Sequence, residues 1–430
     1  MSVSWLFLAV SLVGAWFTWN AYRPTYRPAW IAFLSFFAGW LTAELALHHI
    51  AWQVVFTVGF VWAGALRAWP GWVGLGITVV SWLALARAYL GARQAEAIVE
   101  RALQTTLGEG YLDAVPPAVR ERLAPGVEWR QILLPFPMRH PEVERVRNVV
   151  YARHDGIDLR LDVYRHRDRP TGCPTLLQIH GGAWTIGSKD EQGIPLMLHL
   201  AARGWVCVSI NYRLSPRATF PDPLVDAKLA IKWIREHGAE YGADADFLVV
   251  TGGSAGGHLA ALVALTANAP EYQPGFEDTD TTVRACVAFY GVYDFTDRHG
   301  HYRNPGLARL LQRQVMKVAL AEARDAYEQA SPMSRVCAGA PPFFIIHGDR
   351  DTLVPVDEAR RFVAAFAGLV CGPVVYAEIP GAQHAFDMLP SLRTTLVVHG
   401  VERFLAYVYG RHLAERPAAV EEARRHATAP

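Results

Sequence analysis

Phe247-Leu248-Val249-Val250-Thr251-Gly252-Gly253-Ser254-Ala255-Gly256-Gly257-His258-Leu259 joins an apolar run, a glycine-rich corner and the start of an apolar helical pattern. It contains G-x-S-x-G in the setting that gives the motif meaning. A serine where a strand turns at once into a helix sits on a sharp, strained corner, so its neighbours must be nearly free of side chains. The helix that follows aims its first N–H groups at developing negative charge. Ser254 is the candidate nucleophile, and Gly252 and Gly256 support its turn.

Outward from this corner the chain alternates. Residues 175–180, 205–211, 247–251, 283–290, 342–347 and 374–379 are short, largely apolar runs. Such runs suit strands buried on both faces of a parallel sheet. Helical patterns cover 223–236, 255–267, 357–369 and 391–409, while 148–154 and 158–164 flank Asp155-Gly156, a hairpin signal. The expectation is an α/β domain over residues 146–410, with a mostly parallel sheet, an antiparallel start and helices on both faces. Its chemistry should lie in the loops at the carboxyl ends of the strands.

Two further regions have the required residues. His180-Gly181-Gly182-Ala183-Trp184 follows a strand, and its small residues let backbone N–H groups approach a substrate oxygen. Gly182, Ala183 and the N–H of Ala255 are the expected oxyanion donors; His180 and Gly181 brace the loop. His347-Gly348-Asp349-Arg350-Asp351 and Gly381-Ala382-Gln383-His384 follow the last two strands. A serine alcohol needs a base, and the base needs an orienter, which makes His384 and Asp351 the expected partners of Ser254. Asp349 is the rival orienter; Asp351 is preferred because it lies further out of its strand. No metal or organic cofactor is required by this chemistry. The other histidines, including His258, are read as structural or surface groups.

The order Ser254, Asp351, His384, the H-G-G-A-W loop, and Asn211-Tyr212-Arg213-Leu214-Ser215-Pro216 with Phe220-Pro221 and Asp226 together resemble a known family. From residue 148 to 409 the chain is similar to α/β-hydrolase-fold serine esterases near the hormone-sensitive-lipase group. With its apolar N-terminus it looks like the multi-span mycobacterial Lip-type carboxylesterases, and it is also similar to plant prenylcysteine methylesterases. The resemblance implies hydrolysis of short- to medium-chain or lipid-derived esters through an acyl-serine. An amidase, formamidase or deacetylase of the same fold remains open, since the triad does not choose the leaving group. A catalytically silent membrane receptor is the reading from another class. Two departures stand out: Ala183 replaces the usual third glycine, and Arg217 stands where many relatives carry glutamate.

Upstream the composition changes. Up to residue 89 the formal charges are Arg23, Arg27, Glu44, Arg67 and Arg87, and ten of the fourteen tryptophans lie here. Segments 3–19, 29–47, 51–66 and 72–90 approach the roughly 20 residues that span a bilayer. The expectation is a multi-pass transmembrane region over 1–90, of four helices, in contact with membrane lipids. His48-His49 is its only break between the second and third segments, formed as a tight hairpin or as one kinked or re-entrant segment. Arginines divide evenly between the two sides, so positive charge does not orient the chain. Five scattered cysteines read as buried small hydrophobes, which leans the catalytic region to a cytoplasmic location. Residues 91–145 read as a helical, proline-rich connector and partial cap, with Ile98, Leu103 and Leu107 as an apolar stripe; 411–430 read as a surface tail. Segment 296–331, together with parts of 92–140, is the expected lid. The hydrolase region is expected to fold without the first 90 residues, because no catalytic loop draws on them. A net charge of +1 leaves no basic surplus for a nucleic-acid partner.

Overall fold

The computed structural model describes residues 2–154 and 156–427, with side chains to 415. Helices α1 (Val3–Tyr22), α2 (Ala29–Glu44), α3 (Ala46–Trp62) and α4 (Trp69–Gly91) open the chain. Large apolar side chains such as Trp5, Leu12, Val55, Trp62 and Leu83 point outward. Small polar groups meet inside: Thr78 Oγ1 donates to Ser11 Oγ at 3.0 Å, and Ser35 Oγ donates to Asn20 Oδ1 at 2.6 Å. This inverts a water-soluble bundle and matches the rules of helix packing in lipid.

By length and composition two stretches can cross a bilayer, Val3–Tyr22 and Trp69–Leu107, and the bent pair α2–α3 passes the same test only as one broken or re-entrant segment. The α2 and α3 helices meet at a 91° bend, so they form no tight hairpin. The break falls at Leu45, and His48 and His49 belong to α3. A buried carboxylate decides this geometry: Glu44, the last residue of α2, is drawn to Arg393 of the catalytic domain.

Residues 91–142 are partly helical, as expected of the connector, and pack on the sheet before running into its first strand. Helix α5 (Gln94–Leu107) buries Ala95, Val99 and Leu103 against the last long helix and the last strand of the sheet. The stripe runs at i, i+4, i+8 and replaces the expected one through Ile98 and Leu107, both only partly buried. The short helices α6 (Pro117–Arg120) and α7 (Trp129–Leu133) complete this layer.

The sheet has strands β1 (Val143–His154), β2 (Ile157–His166), β3 (Cys173–Ile179), β4 (Val206–Ile210), β5 (Ala243–Gly253), β6 (Ala285–Phe289), β7 (Phe343–Gly348) and β8 (Val374–Ile379). Their order is β1-β2-β4-β3-β5-β6-β7-β8. The β1–β2 and β2–β4 pairs are antiparallel, and the remaining pairs are parallel. His154 pairs with Ile157; Asp155, part of the expected hairpin signal, lies outside the described residues. The two-residue side-chain period divides each buried strand between two cores. Leu177, Val208 and Val250 join the core under α9 (Asp222–His237), α10 (Ala255–Leu265) and α13 (Asp357–Ala365). Leu176, Cys207 and Val249 join the core under α5, α8 (Ile194–Ala201) and α14 (Leu392–Ala427). Helix α8 left no periodic signal in the sequence because seven of its eight residues are buried. The surface tail read from residue 411 continues α14 to Ala427, and residues 428–430 lie outside the described residues.

Between β6 and β7 lie α11 (Gly306–Leu310) and α12 (Arg324–Gln329). Leu311, Val315 and Tyr327 of this expected lid are buried in the core, which makes much of it fixed structure. Cys173, Cys207 and Cys286 are buried as expected for small hydrophobes, but Cys337 is exposed.

Glu358, in the first turn of α13, is buried and accepts the N–H groups of Tyr293 and Asp294 at 2.9 Å each. Loss of hydration raises its carboxyl, the two N–H bonds oppose this, and Asp294 and Asp297 add to the rise; the result is about 8. An acid whose pKa is raised on folding holds its proton longer in the native state, so stability falls as pH climbs from its ordinary range through about 8. Glu358→Gln keeps an acceptor and removes the charge. It should leave urea stability nearly unchanged near pH 4, below the ordinary carboxyl range, and raise it by about 1–3 kcal/mol near pH 9. An equal effect at both pH values would show that the charge is not the cause.

Candidate active site

Ser254 stands between β5 and α10 with φ 59° and ψ −121°. This is a conformation that L-residues avoid. Crowding below holds it there: a side chain on Gly252 would run into the Gly256 backbone and the Ile179 carbonyl. The Ser254 N–H is fixed to the Phe289 carbonyl at 3.0 Å, which ties the corner to β6.

The loop after β3 folds back beside the serine. A Cβ added to Gly181 would lie 3.1 Å from Ser254 Cβ. Gly182, Ala183 and Trp184 all have positive φ, at 113°, 54° and 60°. Gly182 has no alternative, since a side chain there would collide with the Ile186 carbonyl. Among the described residues the N–H groups of Gly182 and Ala183 have no intrachain acceptor. Ala255 opens α10, where N–H groups are also free. His180 is buried, bonds through Nδ1 to the Gly181 carbonyl at 2.6 Å, and stacks on Tyr212. Loss of hydration pushes it down to about 4, so it is neutral at working pH. His258 is likewise structural, accepting from Trp184 Nε1 at 3.2 Å and facing the Ala330 carbonyl. Arg213 and Asp226 form a two-pronged ion pair that fixes the loop after β4. Arg217 is exposed and has no ion pair among the described residues.

His384 Nδ1 lies 2.6 Å from Asp351 Oδ2. The other oxygen of Asp351 accepts the N–H groups of Leu353 and Val354 at 2.8 Å each. His347 Nε2 approaches Asp351 at 3.3 Å from beneath. Burial by itself would raise this carboxyl; the charges and hydrogen bonds of His384 and His347 outweigh it and hold Asp351 well below the usual range. Asp349 instead receives the Gly381 N–H at 2.7 Å and supports the neighbouring loop. Of the two rival carboxylates, Asp351 touches the imidazole.

Three contributors were not legible in the chain. Tyr290, at the end of β6, packs its ring 4.6 Å from that of His384 and under the Gly253 corner. It thus sits between the nucleophile turn and the base. Its hydroxyl donates to buried Asp387, whose carboxyl loss of hydration raises to about 6. Gln383 Oε1 accepts from the N–H groups of Thr352 and His384 at 2.7 and 2.9 Å, joining the two loops. The position of Tyr290 at a carboxyl strand end was the one available signal.

The third missed contributor is α2. It lies along the catalytic face over its length, which overturns the expectation that no catalytic loop draws on the first 90 residues. Ala32 accepts a bond from Thr352 at 3.3 Å, and the Phe36 ring stands 6.1 Å from the His384 ring. At its end Glu44 takes bonds from Ser391 at 2.6 Å and from Arg393. Both members of that ion pair are buried; removing one would leave a bare charge and cost about 3–5 kcal/mol. Arg350 bonds the Ala21 carbonyl, and Asn304 bonds the Tyr26 carbonyl at 3.1 Å. The roof over the catalytic loops therefore comes from the N-terminal helices, and residues 92–140 cover a face of the sheet.

Comparison with known proteins identifies the family. The BD-FAE family model matches residues 161–366. The "Probable carboxylic ester hydrolase LipM" of Mycobacterium tuberculosis is 43% identical over 429 residues, 95% of each chain. The isoprenylcysteine α-carbonyl methylesterase ICME of Arabidopsis thaliana is 29% identical over 230 residues, 51% of this chain and 52% of that one. Among solved structures, a truncated carbohydrate esterase from gut microbiota overlays with a TM-score of 0.53 at 24% identity, covering 62% of this chain and 96% of that one; it supports the fold alone. The full-length match extends through the N-terminal helices as well as the sheet, and the chain belongs to the LipM-type family of carboxylic ester hydrolases, serine carboxylesterases of the α/β-hydrolase fold.

Proposed function

We propose that the protein is a membrane-anchored carboxylesterase that cleaves short- to medium-chain carboxylic esters through an acyl-serine on Ser254. One observation supports the assignment of roles: the His384–Asp351 pair and the strained Ser254 corner are linked through the Tyr290 ring, which packs on His384 and under Gly253. His384 takes the serine proton as Oγ bonds to the ester carbonyl carbon. The N–H groups of Gly182, Ala183 and Ala255 receive the oxyanion, and the C–O bond then breaks as His384 returns the proton to the departing alcohol. Water, deprotonated by the same imidazole, adds to the acyl-serine and frees the acid. Asp351 keeps the imidazole in the required tautomer. The outward apolar faces of α1 and α4 support integral insertion, with lipid as their partner. The proposed location is a multi-pass membrane site; the side of the catalytic domain is undecided, its scattered free cysteines giving only a weak lean to the cytoplasm.

The test uses the full chain in detergent on p-nitrophenyl acetate, butyrate and octanoate, with the p-nitroanilides of the same acids. Esters should be hydrolysed at least about 10²-fold faster than anilides, and the protein should stay with membranes after an alkaline carbonate wash. Faster cleavage of the anilides would make it an amidase of the same fold. Release by carbonate would remove the anchoring.

A further inference from the structure

We infer that α2 is the outer wall of the catalytic pocket and that the apolar arm of a bilayer-resident ester reaches Ser254 along it, with Phe36 setting chain-length preference. The inference rests on the esterase reading above and deepens it. One face of α2 is committed to the catalytic loops: Ala32 to Thr352, Phe36 to His384, Gly39 against Gln383, and Glu44 to Arg393. The opposite face is apolar and open, with Trp30, Phe33, Leu34 and Phe37 exposed at 65, 53, 50 and 42%.

The rings connect the two faces. Phe33 and Phe37 lie 5.0 Å apart, Phe37 and Phe36 4.8 Å, and Phe36 and His384 6.1 Å. Exposure falls along the series, from 53% at Phe33 to 7% at Phe36 and 5% at His384. One helix diameter, about 10 Å, therefore separates an apolar surface from the catalytic base. Before Glu44 the helix has no charged side chain, and Glu44 is itself paired, so α2 places no unpaired charge along the route. A hydrocarbon chain already dissolved in lipid would lose no favourable contact on entering, whereas a polar substrate would be desolvated against aromatic rings. The buried Glu44–Arg393 pair and the Ser391 hydroxyl hold α2 in place, so the wall is fixed and Phe36 is its innermost ring. A fixed ring beside the base limits how much chain fits behind it.

The test measures kcat/KM of the full-length chain in lipid nanodiscs on p-nitrophenyl acetate and octanoate. Phe36→Trp should lower the octanoate-to-acetate ratio by about tenfold by filling the track. Phe36→Ala should move the ratio the other way by about fivefold or more. A ring with a purely structural role would depress both esters together and leave the ratio within twofold of wild type in both variants, and that result overturns the inference. If Phe36→Ala fails to fold by thermal melting, Phe36→Leu is read in its place with the same direction and the same threshold of twofold. A wild-type chain inactive on both esters removes the esterase reading and this inference with it. An active wild type with an unmoved ratio removes the inference alone.

Discussion

Replacing Ser254 by alanine should lower kcat on p-nitrophenyl butyrate by about 10⁶-fold while leaving the melting temperature nearly unchanged. The two halves of this expectation have separate causes. Serine's Cβ remains in alanine, so the φ of 59° costs the variant no more than it costs the native chain. The crowding of Gly181 against that Cβ is equally retained. Only Oγ is lost, and with it the bond to the acyl carbon. What persists is the weak rate supplied by binding and by the N–H groups of Gly182, Ala183 and Ala255. A fluorophosphonate probe should label the native protein and spare Ser254→Ala. Labelling that survives the substitution would place the nucleophile elsewhere.

Asp351→Asn should reduce kcat by roughly 10⁴-fold, and Asp349→Asn by far less. In the native site Asp351 divides its oxygens, one for the Leu353 and Val354 N–H groups and one for His384 Nδ1. Asparagine can keep the first set through its carbonyl. Its NH₂ then faces Nδ1 and turns the imidazole to the tautomer that carries the proton on Nε2, where it cannot accept one from serine. The carboxylate's strong preference for the ionised form means the native enzyme keeps this arrangement across the working pH range. Asp349 acts only on the Gly381 N–H, so its substitution disturbs a loop and leaves the base in its tautomer. The reverse ranking of the two variants would move the orienting role to Asp349.

The contact of α2 with the base also changes how the protein divides. A hydrolase sheet with its own two cores, joined to an apolar anchor by a polar stretch, reads as two separable parts. The structure joins them at Ala32, Phe36 and Glu44, with Arg350 and Asn304 reaching back from the catalytic loops. The apolar helical region and the catalytic site therefore share side chains, and a change in that region can be felt at His384.

The local features of this fold and its candidate site were legible in the chain because they are imposed by backbone geometry over a few residues. The 247–251 strand, the glycine corner around Ser254 and the small residues of the H-G-G-A-W loop each meet a local steric demand, and alternating apolar runs announce buried strands. His384 and Asp351 could be proposed because each follows a strand, and strand ends share one edge of a parallel sheet. Partners set by distance across the fold had no such signature. Tyr290 and Asp387 meet across 97 residues, and Glu44 and Arg393 across 349. Hydropathy treated α2 as one more crossing, since an aromatic, uncharged face reads alike whether it meets lipid or a catalytic loop. Only the tertiary structure decided between them, because a buried carboxylate at residue 44 needs a cation, and Arg393 stands on the catalytic domain.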